Sequence, residues 1–370
     1  MDHDIVDYLQ LLLEHRGSDL HIVEGAPPQI RIDGVLHALG EEDLDGATAK
    51  ELVFASLRET QRAELEREWE LDYALEIENV GRFRGNAHFA QGHVEAAYRH
   101  IPDEIPDLST LGHYPVLEEL CLVREGLVLV TGITGSGKST TLAAMAKRIA
   151  EERSAVIVTI EEPIEFVFQH TPTSIIKQRQ VGQDTHGFPR ALRSAMRQDP
   201  DVIIVSEMRD LETIQIALSA AETGHLVIST LHTIDAPKSV DRLTDVFPPQ
   251  QQQQVASQLA SSLVAVVSQQ LLPADGEAED GTGRVLLSEV MKINPGVATC
   301  IRERKVEQVL GLIEIGQAEG MHTRDHCLVE LAAGKRISLA TALDHARDKD
   351  FVTENYRQAL KKEKKPFWKR

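Results

Sequence analysis

Residues 132–142 read GITGSGKSTTL, and no other stretch of the chain constrains the architecture as tightly. Gly132 is followed after four residues by Gly137, Lys138 and Ser139, the spacing in which a glycine-rich loop turns backbone N–H groups toward an anion. Before it runs the apolar segment Leu127 to Val130, and after it comes TTLAAMAKRIAEE, rich in good helix formers. A strand entering and a helix leaving are the context the pattern requires, because the helix N-terminus adds its dipole to the amides. The loop residues Gly132, Ile133, Thr134, Gly135, Ser136, Gly137, Lys138, Ser139 and Thr140 are therefore candidate ligands of a nucleotide triphosphate. In that geometry Lys138 reaches the β and γ phosphates and Ser139 ligates Mg²⁺. ATP and Mg²⁺ are the cofactors this reading expects.

Outward from the loop, short β-branched runs alternate with helical ones: GLVLVTG, AVIVTIE, DVIIVSE and HLVISTLH, with LETIQIALSAAE between the last two. Continuous apolar strands separated by helices predict a mostly parallel sheet covered on both faces. Ligands meet such sheets at the carboxyl ends of their strands. Glu207 sits just past DVIIV, as a candidate metal or water ligand or as a solvated carboxylate. Glu161, Glu162 and Glu165 cluster around Pro163, too close for all three to face one phosphate without an offsetting cation. His225 and His232 flank LVIST at its two ends, and at least one of them reads as an ordinary surface histidine.

Residues 1–101 read as a smaller α/β domain, with Asp33-Gly34 as a hairpin signal, a charged helical stretch from Thr48 to Trp69, and the strand-like runs LDYALEI, GRFRGNAHFA and VEAAYRHI. Pro102, Pro106 and Pro115 mark 102–115 as a linker. The ATPase core is expected over 116–272, its C-terminal part and a helical region over 273–350, and a tail over 351–370. Beyond Asp241 the pattern reads as mainly helical, with Gln250 to Gln254 opening a polar-faced helix and RVLLSEVM as a strand. The basic end KKEKKPFWKR is either a solvated tail or a lipid-attracted one.

With 58 acidic against 39 basic residues, the formal charge is -19. That balance disfavours a nucleic-acid partner, which calls for clustered Lys and Arg. The three cysteines, Cys121, Cys300 and Cys327, form no CxxC pair, so neither a disulfide framework nor a zinc ribbon is expected. An acidic N-terminus and the lack of a run of about 18 apolar residues predict neither export nor a membrane span.

Taken together, GITGSGKST, TIEEPIEF, VSEMRDLETI and TGHLVISTLHT resemble the Walker A, Asp-box, Walker B and His-box elements of the type IV pilus retraction ATPases (PilT/PilU, twitching motility), a branch of the type II/IV secretion ATPase superfamily. The resemblance extends from GSDLHIVEGAPPQIRIDG to GMHTRDHCL. It implies an N-terminal PAS-like α/β domain joined by a linker to a RecA-like P-loop core with a helical C-terminal extension. It also implies a hexameric Mg²⁺-dependent ATPase motor for pilus retraction, cytoplasmic and peripheral at the inner membrane. The implied partners are identical subunits in a ring, an inner-membrane platform protein and a paralogous retraction ATPase. By resemblance Glu165 is the general base, Glu207 the Walker B acid, and His225 and His232 the γ-phosphate and interface sensors. Arg82, Arg84 and Arg99 would reach nucleotide phosphates near a subunit interface, although each also reads as a solvated strand arginine.

Two departures stand out. Glu162 occupies the place of the usual Asp-box aspartate, and GVATCIRE, residues 296–303, replaces AIRNLIRE, keeping only Ile301, Arg302 and Glu303. These motivate a second reading, an accessory ring subunit with weak hydrolysis. An assembly or secretion ATPase is a further alternative, weakened by the missing four-cysteine insert. A RecA-like nucleic-acid translocase is opposed by the net charge.

Overall fold

The computed structural model describes residues 4–32, 34–101, 104–112, 115–275 and 283–363. Two compact units emerge: residues 1–104 with 163–167, and residues 105–162 with 168–370.

The first unit comprises α1 (Ile5–Glu14), β1 (Asp19–Ile22), β2 (Gln29–Ile32), β3 (Val35–Ala38), α2 (Gly46–Ala55), α3 (Glu59–Glu68), β4 (Glu70–Ile77), β5 (Gly81–Ala90) and β6 (His93–Ile101). Its six strands form one sheet in the order β3-β2-β1-β6-β5-β4, with every neighbouring pair antiparallel. The expected hairpin is present as β2–β3, with Ile32 opposite Val35; Asp33 itself lies outside the described residues. Alternation along β5 and β6 sends Phe83, Ala87, Val94, Ala96 and Tyr98 into a core shared with α1, α2 and α3. Arg82, Arg84 and Arg99 fall on the alternate positions, as a period of two requires. Inside this core the Ser56 hydroxyl meets the Tyr73 and Tyr98 hydroxyls at 2.7 and 2.9 Å, which satisfies three buried polar groups at once.

The second unit runs α4 (Val116–Leu122), β7 (Gly126–Thr131), α5 (Lys138–Glu152), β8 (Val156–Glu161), β9 (Ile175–Gln180), α6 (Phe188–Ala195), β10 (Val202–Val205), α7 (Leu211–Glu222), β11 (Leu226–Leu231), α8 (Ala236–Asp245), α9 (Pro249–Ser262), β12 (Leu263–Pro273), β13 (Arg284–Lys292), α10 (Pro295–Arg302), α11 (Val309–Ile315), α12 (Arg324–Ala333), α13 (Leu339–His345) and α14 (Lys349–Glu363). Its sheet has the order β13-β12-β7-β11-β10-β8-β9, parallel except for β13. Strands β7, β10 and β11 are buried along their whole length, and separate apolar clusters occupy the two faces. This is the doubly covered parallel sheet that the apolar runs predict.

Three expectations need correction. The region after Asp241 is mainly helical as expected, but LVAVVSQQLLP forms an eleven-residue strand, β12, that the pattern did not announce and that pairs with β13 across the expected boundary at 272/273. Within the expected linker, the described residues 105–112 include packed structure: Leu108 is buried, and Lys147 donates to the Ile105 carbonyl at 3.1 Å and to Asp107 at 2.7 Å. The expected tail contributes a helix, α14, whose Val352 is fully buried in a cluster with Leu328 and Ala332. Residues 364–370 lie outside the described residues, and the reading of their basic character goes with them.

Glu289, 2% exposed on β13, receives Arg347 at 2.6 Å and the backbone N–H of Ala236 at 2.9 Å and of Arg324 at 3.2 Å. A buried carboxylate so fully satisfied fixes the C-terminal helices to the sheet. Among the described residues no helix is long and apolar enough to cross a membrane.

Candidate nucleotide site

Strand β7 delivers Gly132, whose N–H donates to the Leu231 carbonyl at the end of β11. The loop then turns through Gly135 and Gly137, both at positive φ (77° and 87°), and enters α5 at Lys138. At Gly132 (φ 150°) a Cβ would lie 2.3 Å from the Gln269 carbonyl oxygen and 2.5 Å from the Ser136 hydroxyl, so only glycine fits. The Ser136 hydroxyl is buried without a hydrogen-bond partner among the described residues. Lys138 Nζ donates to the Gly132 and Ile133 carbonyls at 2.8 and 2.9 Å, which curls the side chain back over the loop. Closely folded glycines, a helix N-terminus and a lysine within reach match the demands of a polyphosphate. Ile133, Thr134, Gly135 and Ser139 are exposed, whereas Thr140 is half-buried.

Glu207 follows β10, and His232 follows β11, so both stand at the carboxyl edge beside Gly132. His232 Nε2 lies 3.1 Å from Glu207 Oε1, and Arg209 lies 2.8 Å from Oε2. Burial pushes the Glu207 carboxyl up, but the Arg209 hydrogen bond, the His232 charge and the Arg209 charge together outweigh it and hold the group below the usual carboxylate range. Glu207 is thus an ionised, oriented acid at the strand end. Arg209, which sequence reasoning passed over, is visible only through this contact.

The three Asp-box carboxylates separate. Glu161 accepts the Thr159 hydroxyl at 2.5 Å and the Gln178 amide at 3.0 Å, which gives it a structural task. Glu162 is exposed and contributes charge to the surroundings of Arg209. Glu165 belongs to the segment 163–167, which is part of the first unit. There it lies 3.6 Å from Arg84, which lies equally 3.6 Å from Asp72. Arg82 donates to the Ile164 carbonyl at 3.4 Å and lies 3.6 Å from Glu76. Arg99 is held by Asp19 through contacts of 2.8 Å. The first unit therefore gathers Arg82, Arg84, Arg99 and Glu165, and the second gathers Lys138, Ser139, Glu207 and His232.

His225 requires a correction as a γ-phosphate sensor within its own chain. It precedes β11, its carbonyl accepts the Gly126 N–H at the start of β7, and its ring contacts the Ala220 carbonyl at 3.1 Å. The six residues of β11 separate it from the phosphate edge, which puts it at the opposite rim of the sheet.

Sequence reasoning also missed Gln269. This residue of β12 is 5% exposed, and its amide donates to the Ser136 carbonyl at 2.8 Å and accepts the Thr141 hydroxyl at 3.2 Å. Beside it the Ser268 and Thr131 hydroxyls pair at 2.7 Å. No local signal marks these residues, because their partners lie far away in the chain.

Comparison with known proteins bears on this geometry. The family model described as type II/IV secretion system protein matches residues 107–338. The chain is 43% identical over 353 residues to the type IV pilus retraction ATPase PilT of Pseudomonas aeruginosa, covering 95% of this chain and 100% of that one. It is also 43% identical over 326 residues to a twitching motility protein of Neisseria gonorrhoeae, covering 88% and 86%. A crystal structure of the pilus retraction motor PilT with bound ADP superposes with a TM-score of 0.86 at 42% identity, covering 95% of this chain and all of that one. A glycine cradle with its lysine, an ionised strand-end acid and likeness over nearly the full length lead to one assignment: the chain belongs to the type II/IV secretion ATPase family, on its pilus-retraction branch.

Proposed function

We propose that the chain works as a ring of six identical subunits whose Mg²⁺-dependent ATP hydrolysis drives type IV pilus retraction and twitching motility. The observation that carries this reading is the meeting of the glycine cradle, Lys138, Glu207 and His232 at the carboxyl edge of three adjacent parallel strands. Lys138 exchanges its loop carbonyls for phosphate oxygens. Ser139 and Glu207 are the residues to hold Mg²⁺, which when bound offsets charge on the transferred phosphoryl oxygens. Glu165 takes the proton of the attacking water at its carboxylate, and Arg82, Arg84 and Arg99 supply cations for the developing negative charge. His232 orients Glu207 through its Nε2 contact. An interface role for His225 would act on a neighbouring subunit's nucleotide.

The divergent stretch 296–303 keeps its packing role. It lies largely in α10, where Val297 and Ile301, four residues apart, enter the core. Replacing AIRNLIRE thus keeps an apolar helix face. An inner-membrane platform protein and a paralogous retraction ATPase are the partners the reading calls for, with the ring peripheral at that membrane.

The test pairs chemistry with phenotype. The purified protein should assemble into rings and release phosphate from MgATP, and Lys138→Ala should abolish release. Deleting the gene should leave surface filaments in excess with no surface motility. Turnover no higher than the Lys138→Ala control would assign an accessory role instead, and loss of filaments would indicate assembly.

A further inference from the structure

The phosphate loop is shaped from below by a residue outside its own motif. Gln269 follows Ser136 by 133 positions, and its side chain lies buried beneath the loop. The Ser136 carbonyl can only accept, so the Gln269 amide nitrogen must face it, at 2.8 Å. That leaves the amide oxygen for the Thr141 hydroxyl, 3.2 Å away in the first turn of α5. Thr141 is 2% exposed, so water does not compete for the contact. The same residue closes on the loop at two further points: its backbone oxygen fills the space a Cβ on Gly132 would need, and its amide nitrogen lies 3.3 Å from where a Cβ on Gly137 would sit.

The consequence follows from peptide geometry. In a trans peptide the C=O of one residue and the N–H of the next point in opposite directions. Pinning the Ser136 carbonyl down onto Gln269 therefore turns the Gly137 N–H up, away from the core. Gly137 stands at the N-cap of α5 with φ 87°, where its N–H joins the free amides of the first helical turn. We infer that Gln269 is a positioning residue for the phosphate loop, holding the Ser136–Gly137 peptide so that the Gly137 N–H faces the bound phosphates. Thr141 fixes which way the Gln269 amide is turned. The inference rests on the nucleotide-site reading of the loop.

The proper measurement is ADP affinity of the full-length protein by calorimetry, beside its melting temperature without nucleotide and its steady-state kinetics with MgATP. Gln269→Leu should weaken ADP binding about tenfold, the cost of one lost buried hydrogen bond that orients a second. It should raise KM for ATP while changing kcat at saturation by less than about threefold, since Gln269 touches no reacting atom. Gln269→Glu should be worse, because a carboxylate would face the Ser136 carbonyl. Thr141→Val should weaken binding about threefold, and Thr141→Ser should restore it. Should Gln269→Leu lower the melting temperature as well, the Thr141 pair decides. ADP affinity in Gln269→Leu within about twofold of the parent, or equal affinity in Thr141→Val and Thr141→Ser, overturns the assignment. A parent protein that binds no ADP overturns the nucleotide-site reading instead.

Discussion

The two sheets place their charged residues by different rules. In the seven-stranded, mostly parallel sheet both faces are used up in packing, so Glu207, His232 and the phosphate loop stand at strand ends. In the six-stranded antiparallel sheet only one face carries the apolar core, so Arg82, Arg84 and Arg99 can stand along strands on the other. Arg84 and Arg99 are direct cross-strand partners, a placement that costs stability unless carboxylates offset it. Asp72, Glu165 and Asp19 supply that offset. The parallel sheet thus offers an edge built for chemistry, while the antiparallel one keeps a face of restrained cations.

This contrast can be broken by substitution. Lys138→Ala, at the strand edge, should lower ATP turnover by ~10³-fold in a phosphate-release assay. Glu165→Gln should cost about 10²-fold in kcat at unchanged ADP affinity, which would separate proton transfer from binding. A comparable effect on folding is expected from His322, buried beside Ser288 at 2.9 Å. Burial, and then the charge of His326, lower its pKa from 6.5 to about 4. Protonation therefore favours the unfolded chain: the stability contribution is intact above pH 6.5 and is lost as pH falls toward 4, roughly 3 kcal/mol in all. His322→Asn should flatten that acid limb in urea titrations; an unchanged slope would mean that the ring is not shielded from water. On the antiparallel face, Arg84→Ala should lower kcat about tenfold while leaving the melting temperature nearly unchanged, because it removes one of two opposed cations. The smallest effect belongs to His225→Ala, with ADP affinity within about twofold of the parent; a larger loss would place that rim against another subunit's site.

What could be read from the chain follows from the same contrast. The continuous apolar runs at Leu127–Val130, Val202–Val205 and Leu226–Leu231 announced buried parallel strands, and the glycine spacing announced the loop between them. Alternation made β5 and β6 legible in the same way. Strand β12 was hidden because α9 ends at Ser262 and the strand begins at Leu263 with no breaker between them. An apolar run such as LVAVV continues a helix pattern as readily as it starts a strand. With β12 went Gln269 and Ser268, whose roles depend on partners over 120 residues away. Arg209 escaped because an arginine after a strand is ordinarily solvated, and only the Glu207 geometry gives it a task. His225 misled for a different reason: its place just before β11 already marked the amino end of the strand, and its sensor role came from the resemblance alone.

The Glu289–Arg347 pair bears on how this polypeptide can be shortened. Arg347 comes 58 residues after its carboxylate. Trimming the C-terminal helices ahead of it would leave an anion sealed inside the sheet layer with its main counter-charge gone, a burden of about 3–5 kcal/mol when one partner of a buried pair is lost. A minimal ATPase fragment cannot stop where the family match ends, at residue 338; it must either keep Arg347 or exchange Glu289 for a residue that needs no cation.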